Sequence, residues 1–151
     1  MHSKHVAVRA ASAFSVLAVA VTICACASTD AIEPGQHAGL ACVDDSPACI
    51  SHRQAALRQM VGDSKRSWVR EPATPVAYAT GVRLFAFKSK KKELSCDELA
   101  VGRREADGAP GALRGPGGKG LTPAQVSRGV MFAAEVSREL GNEMGRRCKK
   151  A

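Results

Sequence analysis

Hydrophobic positions fall into one continuous block near the start of the chain, a stretch without period, and then a series of helical patterns. Residues 10–25, AASAFSVLAVAVTICA, carry no charge, and residues 1–9, MHSKHVAVR, carry Lys4 and Arg9 and no acid. A basic segment followed by an apolar core is the pattern of an export signal. The uncharged block is short and rich in Ala and Ser, below the roughly 20 apolar residues that a permanent membrane helix needs. A cleavable leader over residues 1–25 is therefore predicted rather than a retained anchor. Residues 26–45 hold Pro34, Gly35 and Gly39 among polar residues and show no period, which predicts a flexible tether.

From residue 46 onward apolar positions recur at helical spacing. Ser46-Pro47 offers a cap followed by a proline suited to the first helical position. Ile50, Ala55, Leu57, Met60 and Val61 follow, and Gly62 is a stop. Residues 63–73 read as a polar connection from which Trp68 and Val69 tuck onto the core. Thr74-Pro75 opens a second element with Tyr78, Val82 and Phe85 at helical spacing, although Val82, Leu84 and Ala86 also alternate as a strand would. Helix is preferred, because Lys88, Lys90, Lys91 and Lys92 then lie at its C-terminal end, where positive charge is favourable.

A third helix starts at the capping box Ser95/Glu98, with Leu94 and Leu99 as its hydrophobic staple. It is expected to run to about Asp107 and to end at Gly108 and Pro110, leaving residues 108–120, GAPGALRGPGGKG, as a loop. Thr122, Pro123 and Gln125 make a second box, with Leu121 and Val126 as its staple. Val126, Val130, Ala133, Ala134, Val136, Leu140 and Met144 then form one apolar stripe, the longest in the chain. Gly129, Gly141 and Gly145 interrupt it; they either weaken the helix or admit a close neighbour. The expected fold is all-α, a small bundle of about four helices over residues 46–151, with the longest helix near the C-terminus.

Composition agrees with helices. Hydrophobic residues make up 45% and aromatics only 4%, so the core must be built from Leu, Val, Met and Ala, which pack between helices more readily than in a β-sandwich. The net charge is +8, and removing Lys4 and Arg9 with the leader leaves +6, a charge that favours anionic surfaces at long range.

The cysteines change the picture more. Beyond Cys26 stand Cys42, Cys49, Cys96 and Cys148, an even number, and outside the cytoplasm thiols oxidise. No CxxC pair occurs among them, so zinc is disfavoured and no metal ligands are expected. Four cysteines allow three pairings, and spacing alone does not choose among them; the fold suggests one, since consecutive helices pack antiparallel and Cys96, opening one, then falls near Cys148, closing the next, although the two helices differ in length. Cys42 and Cys49 would close a small loop at the start of the first helix. Two disulfides thus staple the expected bundle.

At the end of the leader two cleavage patterns overlap. Ala25-Cys26-Ala27 has the small residues at alternate positions that an ordinary signal peptidase accepts. Ile23-Cys24-Ala25-Cys26 resembles a bacterial lipobox, with an aliphatic residue three places before the final Cys and a small residue directly before it; Cys24 departs from the usual small or hydroxyl residue. On these residues, the spacer and the four-cysteine helical domain, the chain resembles small exported, lipid-anchored proteins of Gram-negative bacteria. That resemblance implies lipid attachment at Cys26. Ala27, where an inner-membrane lipoprotein has Asp, implies an outer-membrane lipoprotein facing the periplasm; ordinary cleavage implies a soluble periplasmic protein.

Candidate chemistry is sparse. Asp44-Asp45 offers two carboxylates without a third ligand and reads as capping of the first helix. His52 has neither a nucleophile nor an orienting acid in its pattern. Cys96 at a helix start could be a reactive thiol, but Asp97 and Glu98 oppose a lowered pKa. GPGGKGLT fails the phosphate-loop pattern in spacing, and Lys119 is followed by Gly120. The run Lys88–Lys92, with Arg103, Arg104, Arg146, Arg147, Lys149 and Lys150, reads either as a patch for anionic lipid or polysaccharide or as a solvated face. Nucleic acid is disfavoured by the leader and the scarcity of stacking aromatics. No catalytic residue and no cofactor are expected. The reading that results is a non-enzymatic exported envelope protein, membrane-bound through its lipid, that binds or supports an anionic or protein partner; the alternative is a small periplasmic hydrolase or lysis-related enzyme.

Overall fold

The computed structural model describes residues 42–148, so the leader, Cys26 and most of the tether lie outside the described residues. Five α-helices follow in order: α1 (Pro47–Gly62), α2 (Pro75–Thr80), α3 (Val82–Lys90), α4 (Cys96–Arg114) and α5 (Pro123–Arg147). Single 3-10 turns form at Ser67–Arg70 and Pro116–Gly118. No strand occurs among the described residues, and none of their helices is long and apolar enough to cross a membrane.

Four of the five helices begin where short-range chemistry dictates. Ser46 Oγ accepts the Cys49 amide at 3.2 Å, and Thr74 Oγ1 accepts that of Ala77 at 3.2 Å, each ahead of a proline. Both capping boxes close. Ser95 N donates to Glu98 Oε2 at 2.7 Å, and Thr122 N donates to Gln125 Oε1 at 2.8 Å; the two hydroxyls accept in return. Each such cap contributes about 1 kcal/mol. Leu94 and Leu99, the staple of α4, are both fully buried.

Two elements depart from expectation. The second is broken into α2 and α3 at Gly81, whose φ of +72° favours a residue without a Cβ. The break re-aims the helix beyond it. Tyr78 and Val82 stay inside, Phe85 emerges at 43% exposure, and Leu84, Ala86 and Phe87 are sealed in the core. A helix buried on more than one side is central, and α3 touches α1, α2, α4 and α5.

The second departure is α4, which does not stop at Asp107 but runs through Gly108 and Pro110 to Arg114. Pro110 removes an amide donor from the ladder. The helix persists because Ala109 and Leu113, on either side of Pro110, are fully buried, and that burial outweighs one lost hydrogen bond.

The pairing of α4 with α5 is the most extensive in the fold, and its register is antiparallel. Cys96 meets Cys148, Asp107 bonds Ser137, and Leu113 lies against Gly129. A Cβ on Gly129 would stand 2.8 Å from Leu113 Cδ1 and 3.3 Å from the Tyr78 carbonyl, so this glycine does admit a close neighbour. Gly145 has open space where its Cβ would be, and no approach depends on it.

Candidate functional site

The four cysteines of the domain come together in two pairs. Cys96 and Cys148 have their sulfurs 1.99 Å apart, and Cys42 and Cys49 theirs 2.27 Å apart. Cys26 lies outside the described residues.

The lysine run at the end of α3 does not stand free. Lys88 Nζ lies 2.6 Å from Glu135 and 3.4 Å from Glu139, Lys91 also pairs with Glu139, and Lys90 reaches Glu93 at 2.7 Å. Arg147 donates to the carbonyls of Lys91, Lys92 and Leu94. This basic stretch fastens α3 and its following turn to α5. Within that run Lys92 is exposed and has no acid at ion-pair distance among the described residues, and the same holds for Arg58, Lys65, Arg70, Arg104, Arg114, Lys119 and Arg138. They are carried by segments from α1 to α5.

Residues considered for catalysis are dispersed. His52 is exposed on α1 and Asp97 is exposed at the start of α4. Glu98 is engaged by the Ser95 amide and by Arg66 Nε at 2.9 Å. Asp44 accepts the Ser46 amide at 2.8 Å, and Asp45 forms ion pairs with Arg53 and Arg128. No group of three or more His, Cys, Asp or Glu that could hold a metal occurs among the described residues.

Two hollows are open to solvent. One, of about 190 Å³, lies between the Cys42–Cys49 loop, the α2–α3 turn and the first half of α5. Val43, Asp45, Arg53, Gly81, Arg128 and Phe132 line it. Arg53 fixes its wall by donating to the carbonyls of Cys42 and Asp44, while Gln125 Nε2 donates to that of Val43 at 3.1 Å. At that volume the cleft is smaller than the usual small-molecule site. The other hollow, a shallow groove of about 480 Å³, follows the α4–α5 turn past Leu113, Arg114, Lys119, Leu121 and Val126. Phe132, which walls the first hollow, stacks on Phe85 with ring centroids 6.3 Å apart. Neither ring was singled out as surface by the spacing, which places Phe85 on the core stripe.

The densest polar cluster is one the sequence reading missed. Arg83 is fully buried in α3. It binds Glu105 of α4 through two donors at 2.5 and 2.7 Å and donates to the carbonyls of Trp68, Val69 and Glu71. Its guanidinium carbon lies 5.8 Å from the Trp68 ring and 5.5 Å from the Phe87 ring. The cluster ties three segments together around a fully buried Arg83, with the Glu105 side chain 15% exposed, so its role is structural. A signal was present: a cation inside the apolar run VRLFAF.

Several carboxyls are held below their ordinary values by partners. Lys91 does so for Glu139, Arg146 for Glu143, and the Ser67 hydroxyl for Asp63. A carboxyl whose folded pKa lies below its unfolded one adds stability above the unfolded value and loses it as pH falls through the folded one. The domain is therefore expected to keep its stability down to about pH 5 and to lose it progressively below the ordinary glutamate value of 4.5. Thermal melts followed by circular dichroism from about pH 7 to about pH 3 check this, and Glu143→Gln should shallow the acid limb. A midpoint unchanged across that range would contradict it.

The chain matches no protein-family model, no curated protein and no solved structure.

Proposed function

We propose that this chain is a non-enzymatic component of the cell envelope, exported by its leader, held on a membrane by lipid attachment at Cys26, and acting by binding an anionic or protein partner. The observation that carries the reading is the pairing of all four cysteines beyond Cys26 at disulfide distance. Two such pairs in a domain this small fit an oxidising compartment, and the basic segment and apolar core ahead of them supply the route there. The residues a hydrolase would draw on, His52 and Asp97, stand in solvent on different helices, whereas catalysis needs polar groups converging on one cleft. The exposed arginines without acidic partners give the domain its attraction for anionic surfaces.

Intact mass of the protein purified from the membrane fraction tests this. The expected species begins at Cys26, carries acyl chains on it, and is lighter by the four hydrogens of two disulfides. A full-length chain recovered from the cytosol, leader uncut and thiols free, would overturn the reading. In the same preparation, cross-linking in whole cells should capture an envelope component.

A further inference from the structure

The glycine-rich turn between α4 and α5 is not a slack connection. Its backbone closes on itself: the Gly118 amide donates to the Gly115 carbonyl at 3.0 Å, that of Lys119 to Pro116 at 3.3 Å, and that of Leu121 to Gly118 at 3.1 Å. A Cβ on Gly118 would collide with the Leu113 carbonyl, and one on Gly117 would stand 2.6 Å from Pro75 of α2. Glycine lets the turn lie close against the domain. The groove of about 480 Å³ that follows it is therefore built in advance of any ligand, which lowers the cost of occupying it.

Two cations line that groove: Arg114, carried there by the continuation of α4 past Pro110, and Lys119 of the turn. Both are exposed, and neither has an acid at ion-pair distance among the described residues. No acid lines the groove among those residues either. The other hollow differs, because there Arg53 and Arg128 both pair with Asp45. Beside the two cations, the half-buried Leu121 and Val126 and the exposed Pro123 give the groove apolar surface. Uncompensated positive charge next to apolar surface complements a peptide that carries carboxylates beside an aliphatic or aromatic side chain. A hydrated glycan gains nothing from the apolar wall, and an acyl chain needs a more enclosed site than an open groove.

We propose that the groove along the α4–α5 turn is the docking site for an acidic peptide segment of a partner protein. Arg114 and Lys119 meet its carboxylates, and Leu121, Pro123 and Val126 receive the apolar side chain beside them. This rests on the binding part of the reading above and not on the lipid at Cys26. Each exposed ion pair adds little by itself, so recognition comes from both cations and the apolar wall acting together.

The test selects a displayed library of random short peptides against the purified chain with its disulfides intact. Enriched peptides are expected to carry Asp or Glu on both sides of an aliphatic or aromatic residue. The tightest, fluorescein-labelled, should bind by fluorescence anisotropy and dissociate with added salt. Arg114→Ser with Lys119→Ser should weaken it about tenfold. Arg58→Ser with Arg138→Ser removes the same charge outside the groove and should leave affinity within about twofold. All four substitutions alter exposed side chains, and thermal midpoints check that folding is kept. Serine in place of the peptide's apolar residues should also weaken binding, a change that leaves the protein untouched. Selection that enriches no acidic sequence, or binding that both pairs of substitutions reduce equally or that neither reduces, overturns the proposal. So does alginate, an anionic polysaccharide, displacing every selected peptide. Carbodiimide coupling of Lys119 to Asp30 or Glu33 within one chain overturns it too, because the groove would then be covered by the chain itself. So does sedimentation equilibrium showing a dimer that Arg114→Ser with Lys119→Ser disperses. Absence of acyl chains in the intact mass defeats the anchor alone. An envelope partner still cross-linked in cells to the Arg114→Ser, Lys119→Ser chain would keep the binding reading and defeat the groove.

Discussion

Replacing Arg83 by methionine is expected to destabilise the domain by about 3–5 kcal/mol, the range for removing one partner of a buried ion pair. For a domain of this size that lowers the thermal midpoint on the order of 15–30 °C. The cause is what the substitution leaves behind. Glu105, whose side chain is 15% exposed, keeps its charge and loses both donors at once. The carbonyls of Trp68, Val69 and Glu71 lose theirs in the same step. Methionine fills most of the space but donates nothing, and an unsatisfied buried acceptor costs about 1–3 kcal/mol. Because Arg83 is fully buried and Glu105 mostly so, most of the loss should persist at about 1 M salt, where exposed bridges such as Lys90–Glu93 are screened. Adding Glu105→Leu to Arg83→Met removes the stranded charge and should restore part of the loss. Urea and thermal unfolding by circular dichroism measure all three variants. A single variant melting within a few degrees of the parent would show that the cluster is solvated in solution.

The starts of α1, α2, α4 and α5 were legible because each is set by groups within four residues of one another. Serine or threonine meets an amide three positions on, and the sequence displays both partners side by side. The Cys96–Cys148 pairing was suggested but not fixed by the sequence: consecutive antiparallel helices bring the first residue of one toward the last of the other, and the extension of α4 to Arg114 makes the two lengths more nearly equal. What could not be read depends on distant residues. The local signals Gly108, Pro110 and Gly111 argue for a helix end, and burial of Ala109 and Leu113 overrules them. The lysines of α3 look like a patch until Glu135 and Glu139, some 47 residues on, are brought against them. Arg83 is conspicuous in its apolar run, but nothing in the run announces Glu105, 22 residues away. Phe85 was assigned to the core because its stripe was continued straight through Gly81, and the break there turns Phe85 outward.

Removing the Cys96–Cys148 bridge, as Cys96→Ala with Cys148→Ala, is expected to cost about 4 kcal/mol, against about 2 kcal/mol for removing Cys42–Cys49. The difference follows from loop length, since the bridged residues are 52 apart in one case and 7 in the other. A cross-link acts chiefly by restricting the unfolded chain, so the longer closure removes more freedom. Its loss should also raise the urea m-value, because an uncrosslinked chain exposes more surface on unfolding. Equal losses for the two bridges, or an m-value that does not change, would count against this account. Together the bridges contribute about 6 kcal/mol on this account, and a whole domain is commonly stable by only about 5–15 kcal/mol. A chain kept where thiols stay reduced would lose that contribution, leaving a large unfolded fraction open to proteolysis. Deleting residues 1–25, which confines the chain to the cytosol, should therefore sharply lower the folded protein recovered relative to the leader-bearing chain, and lower it further for the Arg83→Met variant, because the two losses act on the same narrow margin.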